Sequence, residues 1–209
     1  MIEIYAYATP NSVKVPIMLE ELGLPYVLHP VNLRNGEQKS ATFKAMNPNA
    51  KVPVLVDHSG PNGSPITLAE SGAILIYLAE KTGKLLPASG VGRARVFEQM
   101  VFHASGLGAA FGNAFMQKLV ASAQPDVIER AVKEAQRTLD VLNGVLAGQR
   151  YVAGDAMSIA DIAHFGWLWR HGAAGVSVEQ APHVERWMAE LAERDGFQRG
   201  IARTLALAG

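Results

Sequence analysis

The sequence predicts a small α/β unit followed by an all-helical one. Two observations carry this reading: hydrophobic spacing changes character near residue 82, and the segments before that point run strand, helix, strand, helix, strand, strand, helix. A third is the stretch 83–92, rich in Gly, Pro and Ser, which reads as a linker between domains at 1–82 and 93–209. Ile2 to Tyr7 is a short β-prone run ended by Thr9-Pro10-Asn11. Ser12 to Leu22 carries Val13, Ile17 and Met18 on one side and stops at Gly23. Pro16 fits that helix only within its first turn, where amide donors have no intrahelical partner. Tyr26 to Leu33 reads as the second strand and Lys39 to Met46 as a short helix. Val52 to Val56 and Pro65 to Leu68 read as strands joined through an Asn62-Gly63 turn, and Ser71 to Lys81 as a strongly apolar helix.

Beyond the linker everything reads as helical. Asp126 to Leu146 spaces Ile128, Val132, Ala135, Leu139, Leu142 and Leu146 by alternating gaps of three and four. Ser158-Ile159-Ala160-Asp161 is a capping box, with Met157 and Ile162 placed to staple it. The stretch from Gln99 to Gln117 holds no Lys, Arg, Asp or Glu, yet it carries too many polar residues and glycines for a spanning helix and reads as a buried one.

Composition excludes several classes of function. The chain has 209 residues, with nineteen basic and nineteen acidic side chains that cancel, so it has no excess charge to attract nucleic acid. At 49% hydrophobic and 18% charged it has the balance of a core-forming protein. It contains no cysteine, which removes disulfide scaffolds, thiolate metal sites, protein-borne dithiols and cysteine nucleophiles together. Any sulfur chemistry must use sulfur brought by the ligand. Glu3 replaces the basic start of a secretory signal, so a cytoplasmic setting is expected. His103, His164 and His171 lack metal-ligand spacing, and no metal is expected.

Three clusters in the first unit are candidates for chemistry. Thr9-Pro10-Asn11-Ser12 lies between a strand and a helix, where open amides and the dipole suit an anion such as a thiolate, although Thr9 or Asn11 capping the helix explains it equally. Lys51-Val52-Pro53 precedes a strand; a cis bond at Pro53 would turn the Val52 backbone outward to pair with an extended peptide. Glu70 and Ser71 open a helix directly after a strand, a grip for a carboxylate beside a partner for an ammonium, or else simply a cap. Phe102, Phe111, Phe115, Met116, Trp167 and Trp169 sit at helical spacing and read as core more readily than as a pocket.

With Glu70-Ser71-Gly72-Ala73-Ile74 leading to Tyr77-Leu78, and Ser158-Ile159-Ala160-Asp161-Ile162-Ala163 late in the chain, these motifs together resemble the glutathione S-transferase family over essentially the full length. The chain is most similar to the bacterial Nu class, related to the yeast prion nitrogen regulator. The resemblance implies a thioredoxin-like first domain of βαβαββα order, an all-helical second domain and a homodimer. It implies that Pro53 is cis and that Val52 pairs with the cysteinyl part of glutathione. Glu70 and Ser71 would hold the γ-glutamyl end, and Gln38 and Lys51 would approach the glycine carboxylate. Arg130 would reach the ligand of the neighbouring subunit. Thr9 and Asn11 would occupy the neighbourhood of the thiol, with Tyr5, Tyr7 and Ser12 keeping tyrosine and serine mechanisms open. Ser158 and Asp161 would serve folding and not catalysis. The implied activity is glutathione-dependent disulfide reduction without a protein cysteine. Its alternatives are glutathione conjugation to apolar electrophiles or peroxide reduction, and non-catalytic glutathione binding or regulation.

Overall fold

The computed structural model describes residues 1–208. In chain order its elements begin with β1 (Ile2–Ala6), α1 (Lys14–Leu22), β2 (Tyr26–Pro30), α2 (Ala41–Met46), β3 (Val54–Asp57), β4 (Ile66–Ala69) and α3 (Ser71–Thr82). They continue with α4 (Gly90–Phe102), α5 (Gly108–Leu119), α6 (Pro125–Ala147), α7 (Ile159–Leu168), α8 (His171–Ala174), α9 (Pro182–Ala192) and α10 (Asp195–Leu205). They form two compact units: residues 1–84 together with 193–209, and residues 85–192.

Among the described residues the first unit holds a four-stranded sheet of order β2-β1-β3-β4. β1 and β2 run parallel, while β3 is antiparallel to both β1 and β4. This is the expected thioredoxin-like βαβαββα arrangement. Ile2, Ile4 and Ala6 are buried along one face of β1, as the strand period of two requires. α1 begins at Lys14, two residues later than the sequence suggested, so Pro16 is its third residue and costs no ladder bond. Gly23 closes it at φ 68°, the left-handed conformation glycine adopts without penalty. β3 begins at Val54 and not at Val52, because Pro53 has no N–H to give the ladder. The expected helix from Lys39 is split into a 3-10 turn at Glu37–Lys39 and α2, which Ser40 caps by accepting from the Phe43 N–H at 3.2 Å.

Residues 193–208 cluster with residues 1–84 in the first unit. The reason is local. α10 turns Gly196, Phe197, Gly200 and Thr204 inward. Gly200 lets it approach α1 so closely that an added Cβ would stand 2.6 Å from the Cα and N of Ile17. Arg194 then forks onto Glu21 at 3.1 and 2.6 Å, and Arg199 and Arg203 both reach Glu20.

The second unit is helical throughout. The charge-free stretch becomes α4, one π-helical turn at His103–Leu107, and α5. α6 buries Ala131, Ala135, Thr138, Leu139, Leu142 and Leu146 on the face its spacing defined. Every residue of α7 is buried, and its capping box forms as expected. Phe111 and Trp167 are core, whereas Met116 is exposed. His103 and His164 pack edge to face with ring centres 5.1 Å apart. No helix among the described residues is long and apolar enough to cross a membrane.

Candidate active site

Sheet register brings the candidate clusters of the first unit to one place. Tyr5 near the end of β1 pairs with Val54 at the start of β3, and Val54 pairs with Ala69 at the end of β4. The turn after β1, the approach to β3 and the turn after β4 therefore share one end of the sheet. The parallel pairing of Ala6 with Pro30 brings the segment after β2, which carries Gln38, to the same end. Beneath these loops Val31, Phe43 and Val54 form a small core against Tyr5, Leu33, Met46, Val52 and Ala69.

The turn after β1 is internally bonded. The Thr9 hydroxyl accepts from the Ser12 N–H at 3.1 Å and donates to the Ser12 Oγ at 3.0 Å. The Val13 N–H goes to the Thr9 carbonyl and the Val15 N–H to the Ser12 carbonyl. The amides expected to greet an anion at the start of α1 are thus consumed, and the Thr9 hydroxyl serves the turn. Ser12 is fully buried, which removes it from contact with a ligand. Asn11 differs: it is exposed, and its Oδ1 accepts from the Lys14 Nζ at 2.9 Å, which leaves its NH₂ as the group it can offer outward.

Lys14 is the residue sequence reasoning missed. It is only 1% exposed, and its ammonium also reaches the Ser71 Oγ at 3.4 Å. Burial lowers its pKa to about 7, against the opposing pull of the Glu70 carboxylate. A lysine in a first helical turn usually reads as solvated, and its partner in α3 lies far off in sequence; no local pattern signals the pair.

Glu70 alone links β4 to α3, with φ 66° and ψ 111°. A side chain in that region is strained by about 1–3 kcal/mol, a condition that collects at functional sites. Ser71 is the first residue of α3, and the first amides of a helix have no acceptor within it. Unlike the start of α1, this helix N-terminus is open.

The Val52–Pro53 bond is cis. Asn47 pins the approach to it, donating from Nδ2 to the Lys51 carbonyl at 2.7 Å. Lys51 itself is exposed, and the Gln38 Oε1 is buried without a partner. The tyrosine alternatives fare differently. The Tyr5 hydroxyl donates to Glu3 at 3.2 Å, and burial together with that carboxylate pushes its pKa up, away from phenolate. Tyr7 is buried beyond the end of β1. Arg130 belongs to the second unit, where it stands exposed in the second turn of α6. Among the described residues no three His, Asp or Glu side chains are grouped as metal ligands.

A thioredoxin-like unit of the dithiol kind would carry a Cys-x-x-Cys pair; this chain has Thr9-Pro10-Asn11-Ser12 in its first turn and no cysteine anywhere, beside an open anion grip at α3. That defines a thioredoxin-like protein that carries no redox dithiol of its own. Models of the glutathione S-transferase N-terminal and C-terminal domains match residues 8–81 and 107–195, and the chain belongs to the glutathione S-transferase family. It is 37% identical over 205 residues to the disulfide-bond oxidoreductase YfcG of Escherichia coli, covering 97% of this chain and 95% of that one. A glutathione transferase family member from Pseudomonas fluorescens, solved with two glutathione bound, superposes with a TM-score of 0.89 at 38% identity, over 96% of this chain and 92% of that one. A glutathione transferase from Pseudomonas putida, solved with one glutathione disulfide bound per subunit, gives 0.88 at 38% identity, over 96% and 90%.

Proposed function

We propose that the protein is a glutathione-dependent disulfide reductase in which both reacting thiols come from glutathione. The observation that carries this reading is the pairing of a cysteine-free chain with an outward-facing Asn11 amide, an open α3 N-terminus and the strained Glu70, all at one sheet end. Its relatives include a disulfide-bond oxidoreductase and proteins solved with two glutathiones or with the glutathione disulfide.

Glu70 meets the α-ammonium of the γ-glutamyl group, while Ser71 and the first amides of α3 take its carboxylate. The Val52 backbone pairs with the cysteinyl residue as an added strand would, and Lys51 and Gln38 serve the glycine carboxylate. The thiol then lies by Asn11. Lowering a thiol from about 8.5 to about 7 takes roughly 2 kcal/mol. The Asn11 amide and the α3 dipole share that task, each supplying on the order of 1 kcal/mol.

The thiolate attacks one sulfur of the substrate disulfide, forming a mixed disulfide and expelling a substrate thiolate that takes up a proton. A second glutathione thiolate attacks the glutathione sulfur of the mixed disulfide and releases the second substrate thiol. Two glutathiones are oxidised to one glutathione disulfide as one substrate disulfide becomes two thiols. Arg130 completes the ligand site of the neighbouring subunit in a homodimer, and the setting is the cytoplasm, where glutathione is kept reduced.

The test is reduction of a small symmetric disulfide by glutathione, coupled through glutathione reductase to NADPH consumption. Turnover well above the free-thiol rate, falling at least tenfold in Asn11→Ala, is expected. Turnover at the uncatalysed rate refutes disulfide reduction, and adduct formation with a model electrophile under the same conditions then identifies conjugation as the activity.

A further inference from the structure

Lys14 stands at a junction that the proposed mechanism does not use. Its buried ammonium touches the Asn11 Oδ1 at 2.9 Å and the Ser71 Oγ at 3.4 Å. Those two residues serve different groups of the proposed ligand, one the cysteinyl thiol and the other the γ-glutamyl carboxylate.

In its protonated form, held below about pH 7, Lys14 has three donors and no acceptor. Whatever atom of Asn11 it holds must be the carbonyl oxygen, so the NH₂ is forced to the outer side. In the same way Ser71 accepts from it, and the Ser71 hydroxyl proton is turned away. Without Lys14 the Asn11 amide is free to rotate by half a turn and present its oxygen, which repels a thiolate. The Ser71 hydroxyl likewise loses its reason to point outward. The charged group facing Lys14 is the Glu70 carboxylate at the start of α3, and Asn11 and Ser71 supply its neutral partners.

We infer that Lys14 is a positioning residue, which acts through Asn11 and Ser71 to hold both as hydrogen-bond donors toward an anionic ligand. The inference rests on the glutathione reading of this site and deepens it: the site is preset for two anionic groups, the thiolate and the γ-glutamyl carboxylate, by one buried lysine.

The experiment follows the thiolate absorbance of bound glutathione near 240 nm against pH, with the glutathione Kd, in the full-length parent, Lys14→Met and Lys14→Gln. Lys14→Met is expected to lower the bound thiolate fraction at pH 7 about tenfold and weaken binding, as the loss of one well-placed donor set implies. Lys14→Gln keeps an N–H donor and restores a substantial part of both; it is also the working variant if Lys14→Met does not fold. In an Asn11→Ala background Lys14→Met leaves the thiolate fraction within twofold. A folded Lys14→Met with parental thiolate fraction and Kd overturns the inference. So does an undiminished Lys14→Met effect in the Asn11→Ala background, because Lys14 then acts without Asn11. A parent that binds no glutathione refutes the glutathione reading alone, and the side-chain NH₂ resonances of Asn11 in the ligand-free protein then decide. Resonances that shift in Lys14→Met support the orienting role, and resonances that stay in place overturn it.

Discussion

Asp161 is buried in the second unit, and its carboxylate is the hub of a four-donor cluster. Oδ1 accepts from the Val152 N–H and from the indole N–H of Trp187, both at 2.9 Å. Oδ2 accepts from the Ser158 N–H at 2.8 Å and from the Ser158 hydroxyl at 3.1 Å. Asp161→Ala strands three N–H donors at once. Each orphaned buried donor costs about 1–3 kcal/mol, and breaking a buried charged hub costs about 3–5 kcal/mol in all. Asp161→Asn is more selective. Its amide oxygen can stay on Val152 and Trp187, while its NH₂ faces the Ser158 N–H donor to donor and the Ser158 hydroxyl turns to accept. One orphan remains, so about 1–3 kcal/mol is lost. With a urea dependence of about 2 kcal/mol/M, the unfolding midpoint falls by roughly 1.5–2.5 M in Asp161→Ala and roughly 0.5–1.5 M in Asp161→Asn. Tryptophan fluorescence reads the transition, with Trp187 as an internal reporter. Glutathione affinity is expected to be unchanged at temperatures where both variants are folded. Equal losses in the two variants, or a loss below about 0.5 kcal/mol in Asp161→Ala, refute the donor-by-donor reasoning.

Three further outcomes are expected. Glu70→Gly relieves the positive φ at the head of α3 and stabilises the fold by about 1 kcal/mol, after the entropy cost of glycine, while weakening glutathione binding at least tenfold; a variant that is destabilised shows the strain to be absent. Gly200→Ala drives a methyl into the Ile17 backbone and costs about 1–3 kcal/mol in urea unfolding, and a neutral result contradicts the close helix approach. For Lys14, burial sets the folded pKa at about 7 against about 10.4 in the unfolded chain. Between those values the unfolded state holds the extra proton, so this residue makes stability rise with pH by up to about 1.4 kcal/mol per pH unit, a slope absent below pH 7 where both states are protonated. Lys14→Met removes that rise. Its stability advantage over the parent is largest near pH 6.5 and shrinks by pH 9.5, and a difference constant with pH contradicts the burial of an ionisable Lys14.

The parts of the fold legible in the sequence were those whose signals are local. The Ser158–Asp161 box announces itself within four residues, and the spacing from Ile128 to Leu146 exposes the buried face of α6. Positions set by distant partners were not legible in this way. Thr9 and Asn11 look alike as turn residues, yet the Thr9 hydroxyl closes the turn on Ser12 while Asn11 holds the Lys14 ammonium, whose other partner, Ser71, lies 57 residues on. One non-local contact does leave a trace in the sequence. Gly196 and Gly200 lie four apart on a helix with Phe197 and Thr204, a stripe that lets a helix approach another backbone closely. That stripe marks residues 193–208 for packing against a helix of the first unit.

That junction of α10 with α1 has a consequence for how the protein is made. The roughly 110 residues between Lys84 and Asp195 take on the order of 6–20 s to synthesise at about 5–20 residues per second. Throughout that interval the sequence of the β-sheet and α1 has been synthesised, but the helix that covers α1 does not yet exist. The backbone around Ile17 and the carboxylates of Glu20 and Glu21 wait without their arginine partners, and the turn carrying Asn11 leads into that same helix. The nascent first unit therefore keeps an unfinished flank until translation has passed the whole helical unit.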